Sequence, residues 1–340
     1  MVTLSLVGCG RWGINYVKAA SNLDFDLKYI CDTKKPKIKI PKGTIYTQNL
    51  EDILSDKETE GVIIATPASS HYDIGYKCIS NQKNVLIEKP ITTNSNQVGE
   101  LCKISESNNV VLMVGHIFEY NDAVKEIRRI IEKGKIGKLI YIESRRVGLG
   151  PVRDDVNVLW DFASHDIYIS NFFVGKKPSY VASIGFSNKP SSNKKTHKNI
   201  EDIFCVNLFY EDPSVLTTIY VNWLHPVKER QIIIGGEKKA ILFDDVEPSE
   251  KIKIFNRRIS YLQTSGGFGE FQTITREGDI LTPKIKLRAP LENQLNHFID
   301  CIKKKTKCLT DGYKGLEVVK ILEAAEESKR KGGLMIRCTL

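Results

Sequence analysis

Through residues 1–115 the chain alternates short, wholly apolar runs with longer stretches whose apolar positions recur every three or four residues. The runs at 2–7, 27–31, 61–65, 84–87 and 110–114 predict strands, and the stretches at 11–20, 50–54, 71–80 and 96–107 predict helices. Val62-Ile63-Ile64-Ala65 shows no polar alternation, as expected of a strand buried on both faces. Alternating strands and helices predict a parallel sheet covered by helices. After Gly115 the pattern changes. A helix over 122–132 ends at Lys133-Gly134, with a cation and a glycine where a C-terminus favours them. Longer alternating segments at 139–145, 180–186, 203–210, 215–223, 230–234 and 240–243 then predict a largely antiparallel sheet with one wet face. A helical stretch at 159–173 interrupts them, and amphipathic helices at 291–304 and 313–331 follow. The Ser-, Asn- and Lys-rich stretch 187–199 reads as an exposed loop. The predicted organisation is an α/β domain over 1–118 and an α+β domain over 119–340. At 340 residues the chain also exceeds one ordinary core.

Composition narrows the class. A hydrophobic fraction of 41% and a charged fraction of 27% describe a globular protein. No apolar run approaches the about 20 residues of a membrane helix, and the first strand starts without a basic leader, so neither a membrane partner nor a secretory signal is expected. The cysteines Cys9, Cys31, Cys78, Cys102, Cys205, Cys301, Cys308 and Cys338 are scattered and form no CxxC pair. They predict a reduced, cytoplasmic protein without a structural metal. The net charge of +9 comes from separate lysine groups that do not alternate with aromatics. That pattern predicts a solvated surface with a mild attraction for small anions, and no nucleic-acid partner.

Three segments carry candidate chemistry. Gly8-Cys9-Gly10-Arg11-Trp12-Gly13 is a G-x-G-x-x-G between the first predicted strand and helix, a spacing that lets a turn approach a pyrophosphate and a helix N-terminus receive it. Asp32 follows at the end of the second strand, 24 positions after Gly8. A carboxylate there accepts ribose hydroxyls and repels a 2′-phosphate, which favours NAD over NADP; Lys34 and Lys35 pull the other way. Glu88-Lys89-Pro90 ends an apolar strand with an ammonium, which suits either an exposed strand end or a cleft that uses the charge. Ala65-Thr66-Pro67 closes the strand expected at the topological switch point, with Thr66 near a nicotinamide or its ribose. His71 suits a cap or packing role at a helix start, and His116 lies at the domain junction as either a structural or a ligand-contacting residue. In Asp161-Phe162-Ala163-Ser164-His165 the acid and the imidazole stand four apart. On a helix they share a face, either as a proton-transfer pair or as an ordinary polar pair.

In this order, Gly8 to Gly13, Ala65-Thr66-Pro67, Glu88-Lys89-Pro90 and Asp161-x-x-x-His165 make the chain resemble the Gfo/Idh/MocA (glucose–fructose oxidoreductase / inositol dehydrogenase) family over nearly its whole length. The resemblance implies an N-terminal Rossmann domain and a C-terminal domain built on an open sheet that serves as a homo-oligomer interface, dimeric or tetrameric. It places Gly8, Gly10, Arg11, Trp12, Gly13, Asp32, Thr66, Pro67, His71, Glu88 and Lys89 around NAD, sets Lys89 beside the nicotinamide and the reacting hydroxyl, makes either His165 or Lys89 the group that takes the proton, with Asp161 touching or orienting the substrate, and allows a cis Lys89–Pro90 bond. Gly10 to Asn15, Gly115 to Asn121 and Asp155 to Asp161 are similar to members that oxidise nucleotide-linked amino sugars to 3-keto sugars. Tyr120, Asn121, Asn157 and Trp160 would then face the sugar, and Arg146 would meet a diphosphate or carboxylate. A free cyclitol or aldose substrate and a non-catalytic NAD-binding regulator are the competing expectations.

Overall fold

The computed structural model describes residues 1–150, 152, 153, 155–188, 200–263 and 271–339. Six short strands form one parallel sheet: β1 (Val2–Val7), β2 (Phe25–Cys31), β3 (Ile45–Thr47), β4 (Gly61–Ile64), β5 (Asn84–Ile87) and β6 (Leu112–Val114), in the order β3-β2-β1-β4-β5-β6. Helices α1 (Gly13–Ala20), α2 (Glu51–Leu54), α3 (His71–Ser80) and α4 (Ser95–Ser107) connect them. Because β1 lies between β2 and β4, the chain reverses its lateral direction there, and this is where open α/β sheets bind ligands. The three-residue β3 is absent from the sequence reading, since so short a run carries no periodicity of its own.

Helix α5 (Asp122–Glu132) has the predicted bounds, fixed by the Asn121 carboxamide, which accepts the Ala123 and Val124 amides. A second sheet follows, with β7 (Leu139–Leu149), β8 (Tyr180–Phe186), β9 (Ile203–Tyr210), β10 (Val215–Asn222), β11 (Leu224–Gly236), β12 (Ala240–Asp244) and β13 (Ile252–Phe255). The hairpin β14 (Arg258–Gln263) and β15 (Phe271–Arg276) stands apart, and β16 (Ile280–Leu281) and β17 (Ile336–Arg337) are edge strands. The order is β16-β13-β12-β11-β7-β10-β9-β8-β17; β7 and β10 run parallel and the other neighbours antiparallel. The fold is thus a parallel Rossmann sheet joined to an α+β unit on a mixed, mostly antiparallel sheet. Helices α6 (Ser164–Val174), α7 (Pro290–Lys304) and α8 (Gly312–Arg330) complete it. The stretch expected as an exposed loop lies outside the described residues from 189 to 199.

Both faces of the parallel sheet are buried, and alternate residues sort between them. Val62 and Ile64, Val85 and Ile87, and Leu112 and Val114 join a core with Ile79 of α3 and Leu101 of α4. Ile63, Leu86 and Met113 point to the other face, among Tyr16 and Val17 of α1 and Leu295, Phe298 and Ile299 of α7. Helix α7, far beyond residue 118, therefore closes the Rossmann sheet. It can approach because Gly61 has no side chain: a Cβ there would stand 2.8 Å from Leu4 Cδ2 and 3.0 Å from Ile302 Cδ1. In the second sheet Phe204, Val206, Leu208 and Tyr210 of β9 are buried, while Cys205, Asn207 and Phe209 between them are half-exposed. One face packs on helices and one is open, the arrangement expected from the alternation.

Candidate active site

The turn after β1 is built for close approach. Gly8 has φ of 90°, and a Cβ there would lie 2.8 Å from the Ala65 carbonyl and the Thr66 methyl. At Gly13 a Cβ would stand 2.0 Å from the Gly8 carbonyl oxygen, whereas the space beside Gly10 is open. The first and third glycines thus lock the loop onto β4 and α1, and the second leaves room for a pyrophosphate beside the α1 N-terminus. Asp32 holds the loop from below: its Oδ2 accepts the Cys9 amide at 2.7 Å and its Oδ1 the Lys34 amide at 3.1 Å. Arg11 and Trp12 are exposed, Pro67 is exposed and Thr66 is half-buried. These features fit a dinucleotide.

Glu88, at the end of β5, ties this loop to the neighbouring lysine. Its carboxylate accepts the Trp12 indole N–H, the Tyr16 hydroxyl at 2.6 Å and the Lys89 amide at 3.2 Å. Burial raises its pKa, and those donors hold the shift down. Tyr16 is a contact that the sequence reading misses, because its only local signal is an apolar helix position. The Lys89–Pro90 bond is cis. His71 is buried beneath it, with Nδ1 2.9 Å from the Pro90 carbonyl and Nε2 2.8 Å from the Thr66 carbonyl. It buttresses both loops from the protein side.

Against the end of β5, a π-helical turn over Leu159–Ala163 leads into α6 and brings Asp161 and His165 to Lys89. Lys89 Nζ donates to the Asp161 carbonyl at 2.6 Å and lies 3.4 Å from Asp161 Oδ1. His165 packs edge-on against Phe118, ring centroids 5.2 Å apart, with Nδ1 buried and unpartnered among the described residues. Burial, then the charges of Lys89, Arg146 and Arg230, hold its pKa well below the usual imidazole range. The structure therefore assembles Lys89, Asp161 and a neutral His165 in one place. Arg153, which the sequence reading does not single out, adds a guanidinium: it forks onto Asp155 at 2.6 and 2.8 Å and reaches Asp161 Oδ1 at 3.4 Å.

The residues expected to face the sugar have internal partners. Tyr120 is buried with its hydroxyl 3.2 Å from Thr310 Oγ1, and Asn121 caps α5. Asn157 donates to Glu201 at 2.8 Å and Glu326 at 2.7 Å, and the Trp160 indole donates to Glu326 at 3.1 Å. Arg146 turns both arms of its guanidinium to Asp166, at 2.7 and 3.0 Å, inside the protein. Its bidentate geometry is the one expected for an anion, but the anion it meets is its own chain's.

His116 is buried close enough to Lys89 to feel its charge. It stacks on Tyr168 at 4.3 Å, is 2% exposed, and neither ring nitrogen has a partner among the described residues. Burial and the Lys89 charge push its pKa down to about 3. The unfolded chain, at about 6.5, then binds the proton more readily, so His116 subtracts stability as pH falls below about 6.5. Between pH 7 and 5 its share is about 2 kcal/mol. Glu88 and Glu119, with raised pKa values, act in the opposite sense, so the difference from a variant is the clean measure. Urea unfolding of wild type and His116→Phe at pH 7 and pH 5 should show the variant losing about 2 kcal/mol less; parallel losses would contradict a neutral buried His116.

The sequence profile of the oxidoreductase family with an NAD-binding Rossmann fold matches residues 2–116, and that of its C-terminal α/β domain matches residues 128–336. An uncharacterized oxidoreductase of Streptococcus pneumoniae is 25% identical over 260 residues, 72% of this chain and 69% of that protein. The inositol 2-dehydrogenase of Rhizobium meliloti is 22% identical over 340 residues, 96% of each chain. Among solved structures, the WlbA dehydrogenase of Bordetella pertussis in complex with NADH and UDP-GlcNAcA superposes with a TM-score of 0.76 at 21% identity, covering 100% of this chain and 99% of that one. The chain belongs to the Gfo/Idh/MocA oxidoreductase family, with an NAD-binding Rossmann domain followed by the family's C-terminal α/β domain.

Proposed function

We propose that this oxidoreductase dehydrogenates a secondary hydroxyl of a nucleotide sugar, at C3 of a UDP-N-acetylglucosamine-type substrate, with Lys89, Asp161 and His165 at the reacting carbon. The observation that carries the reading is the Lys89–Asp161 contact beside a neutral imidazole, at the carboxyl edge of β5 and next to the switch point. NAD supplies the hydride acceptor. His165 accepts the hydroxyl proton, for which a neutral imidazole is required. Lys89 donates to the substrate oxygen, whose negative charge grows toward the transition state, so its ammonium stabilises that state more than the alcohol. Asp161 holds Lys89 in place. Trp12 and Tyr16, through Glu88, hold the strand end that carries Lys89 against the dinucleotide loop.

The cations around His165 support an anionic substrate. They disfavour its protonated form, and a diphosphate or carboxylate entering beside them offsets that field and lets the imidazole keep the proton. With Arg146 forked onto Asp166 and Arg153 onto Asp155, Arg230 is the guanidinium near His165 with the loosest pairing and the one best placed to meet the anion. Arg230 lies on β11 opposite Arg146, and its contact with Asp245 is a loose 3.7 Å. A second reading, a free cyclitol or aldose as substrate, is favoured by the full-length similarity to an inositol dehydrogenase. A second copy covering the open face of the nine-stranded sheet, where Ile184, Phe186 and Leu216 are exposed, fits the homo-oligomer that the resemblance implies. NADH formation should be faster, as kcat/KM, with UDP-N-acetylglucosamine or its uronate than with myo-inositol or glucose. The reverse order would establish the second reading, and NAD binding without turnover of any sugar would favour a regulator.

A further inference from the structure

The C-terminal end of α7 brings three soft donor atoms together, and the dehydrogenation chemistry uses none of them. His297 and Cys301 stand one helical turn apart on one face of α7. Lys305, with φ of 50°, ends the helix and turns the chain so that Cys308 comes back to that face. One ligand atom from each of His297, Cys301 and Cys308 lies within 4.8 Å of the other two. Cys301 Sγ is 3.4 Å from His297 Nε2. Zinc with bonds of about 2.3 Å to sulfur and about 2.0 Å to nitrogen, at a tetrahedral angle, separates the two ligands by about 3.5 Å. The observed edge falls within a few tenths of an ångström of that value. Both thiols are buried, and the Tyr120 ring lies 5.6 Å from the imidazole.

We propose that His297, Cys301 and Cys308 bind one zinc ion, with solvent as the fourth ligand. Two thiol protons leave as two Zn–S bonds form, so the bound site carries no net charge, and no electron is transferred. The ion takes the Nε2 lone pair that now accepts the Leu309 amide at 3.1 Å. Leu309 is 52% exposed, so that amide can turn to water instead. The ion ties the end of α7, which closes the parallel sheet, to the loop that leads into α8. The expectation of no structural metal rests on the missing CxxC pair; here the donors converge through an i, i+4 helix pair and a left-handed turn instead.

Untagged chain loaded with zinc and passed into metal-free buffer should retain about one equivalent per chain by elemental mass spectrometry. The cobalt(II) form should show tetrahedral absorption with thiolate-to-cobalt charge transfer. Cys301→Ser and Cys308→Ser should each lower retained zinc by about tenfold or more, while Cys78→Ser, a buried thiol elsewhere, keeps it. If the serine variants fail to fold, wild type decides alone: zinc should slow alkylation of Cys301 and Cys308 about tenfold relative to chelator-treated protein. Retention below about a tenth of an equivalent, a cobalt spectrum without charge transfer, or equal alkylation with and without zinc overturns the site.

Discussion

Lys89→Met should lower kcat/KM by about 10²–10⁴-fold while NAD affinity changes only a few-fold. The size follows from the role. An ammonium beside the reacting oxygen contributes in the transition state, where the oxygen carries charge, and little in the ground state. Methionine keeps the length of the stem and its packing but removes the ammonium and its three N–H donors, leaving the backbone amide on Glu88. The dinucleotide loop is held by contacts that do not pass through the lysine side chain: Glu88 with Trp12 and Tyr16, and Asp32 with the Cys9 amide. Asp161 loses the Lys89 donor and keeps Arg153 at 3.4 Å, so its carboxylate is not stranded. Steady-state kinetics together with NAD titration by protein fluorescence separate the two effects. Unchanged turnover would remove Lys89 from the chemistry, and a parallel collapse of NAD binding would make it a cofactor anchor.

Arg146→Met is expected to cost about 3–5 kcal/mol of folding stability. Arg146 and Asp166 are 4% and 1% exposed at their side chains, and the pair is bidentate. Removing the guanidinium leaves a carboxylate in the core with the Ser144 hydroxyl, at 2.8 Å, as its remaining side-chain donor among the described residues. A single hydroxyl does not replace a fork of charged donors. The double variant Arg146→Met/Asp166→Leu should recover much of the loss, because the expensive species is the unpaired buried charge rather than the missing pair. Urea unfolding of the three proteins tests this. A variant with wild-type stability and a raised KM would instead return Arg146 to the substrate, the role that the resemblance gave it.

What the sequence could show was local. The glycine turn, the apolar strands and the helix at Asp122–Glu132 are written in neighbouring residues: turn chemistry, continuous apolar runs, a cap and a terminating glycine. The meeting of Lys89 with Asp161 was legible only through the resemblance, since 72 positions separate them. The two-residue period of β4 to β6 was hidden because both faces take apolar side chains. The closure of the Rossmann sheet by α7, the fork of Arg146 onto Asp166 and the Asn157–Glu326–Trp160 contacts are long-range, and no local pattern encodes them. Arg153 was missed for the same reason. In sequence it is one more basic residue, and its position against Asp161 exists only in the fold.

Under the proposed function, Lys89, Asp161 and His165 remove hydrogen from C3 of a nucleotide sugar. The most direct measurement uses UDP-N-acetylglucosamine deuterated at C3, incubated with NAD and the wild-type chain, with the reduced cofactor examined by mass spectrometry. Deuterated NADH and a 3-keto sugar are expected, with the label lost from the nucleotide sugar. Unlabelled NADH would place the oxidation at another carbon. No NADH from this substrate, alongside turnover of inositol or glucose, would contradict the nucleotide-sugar assignment outright.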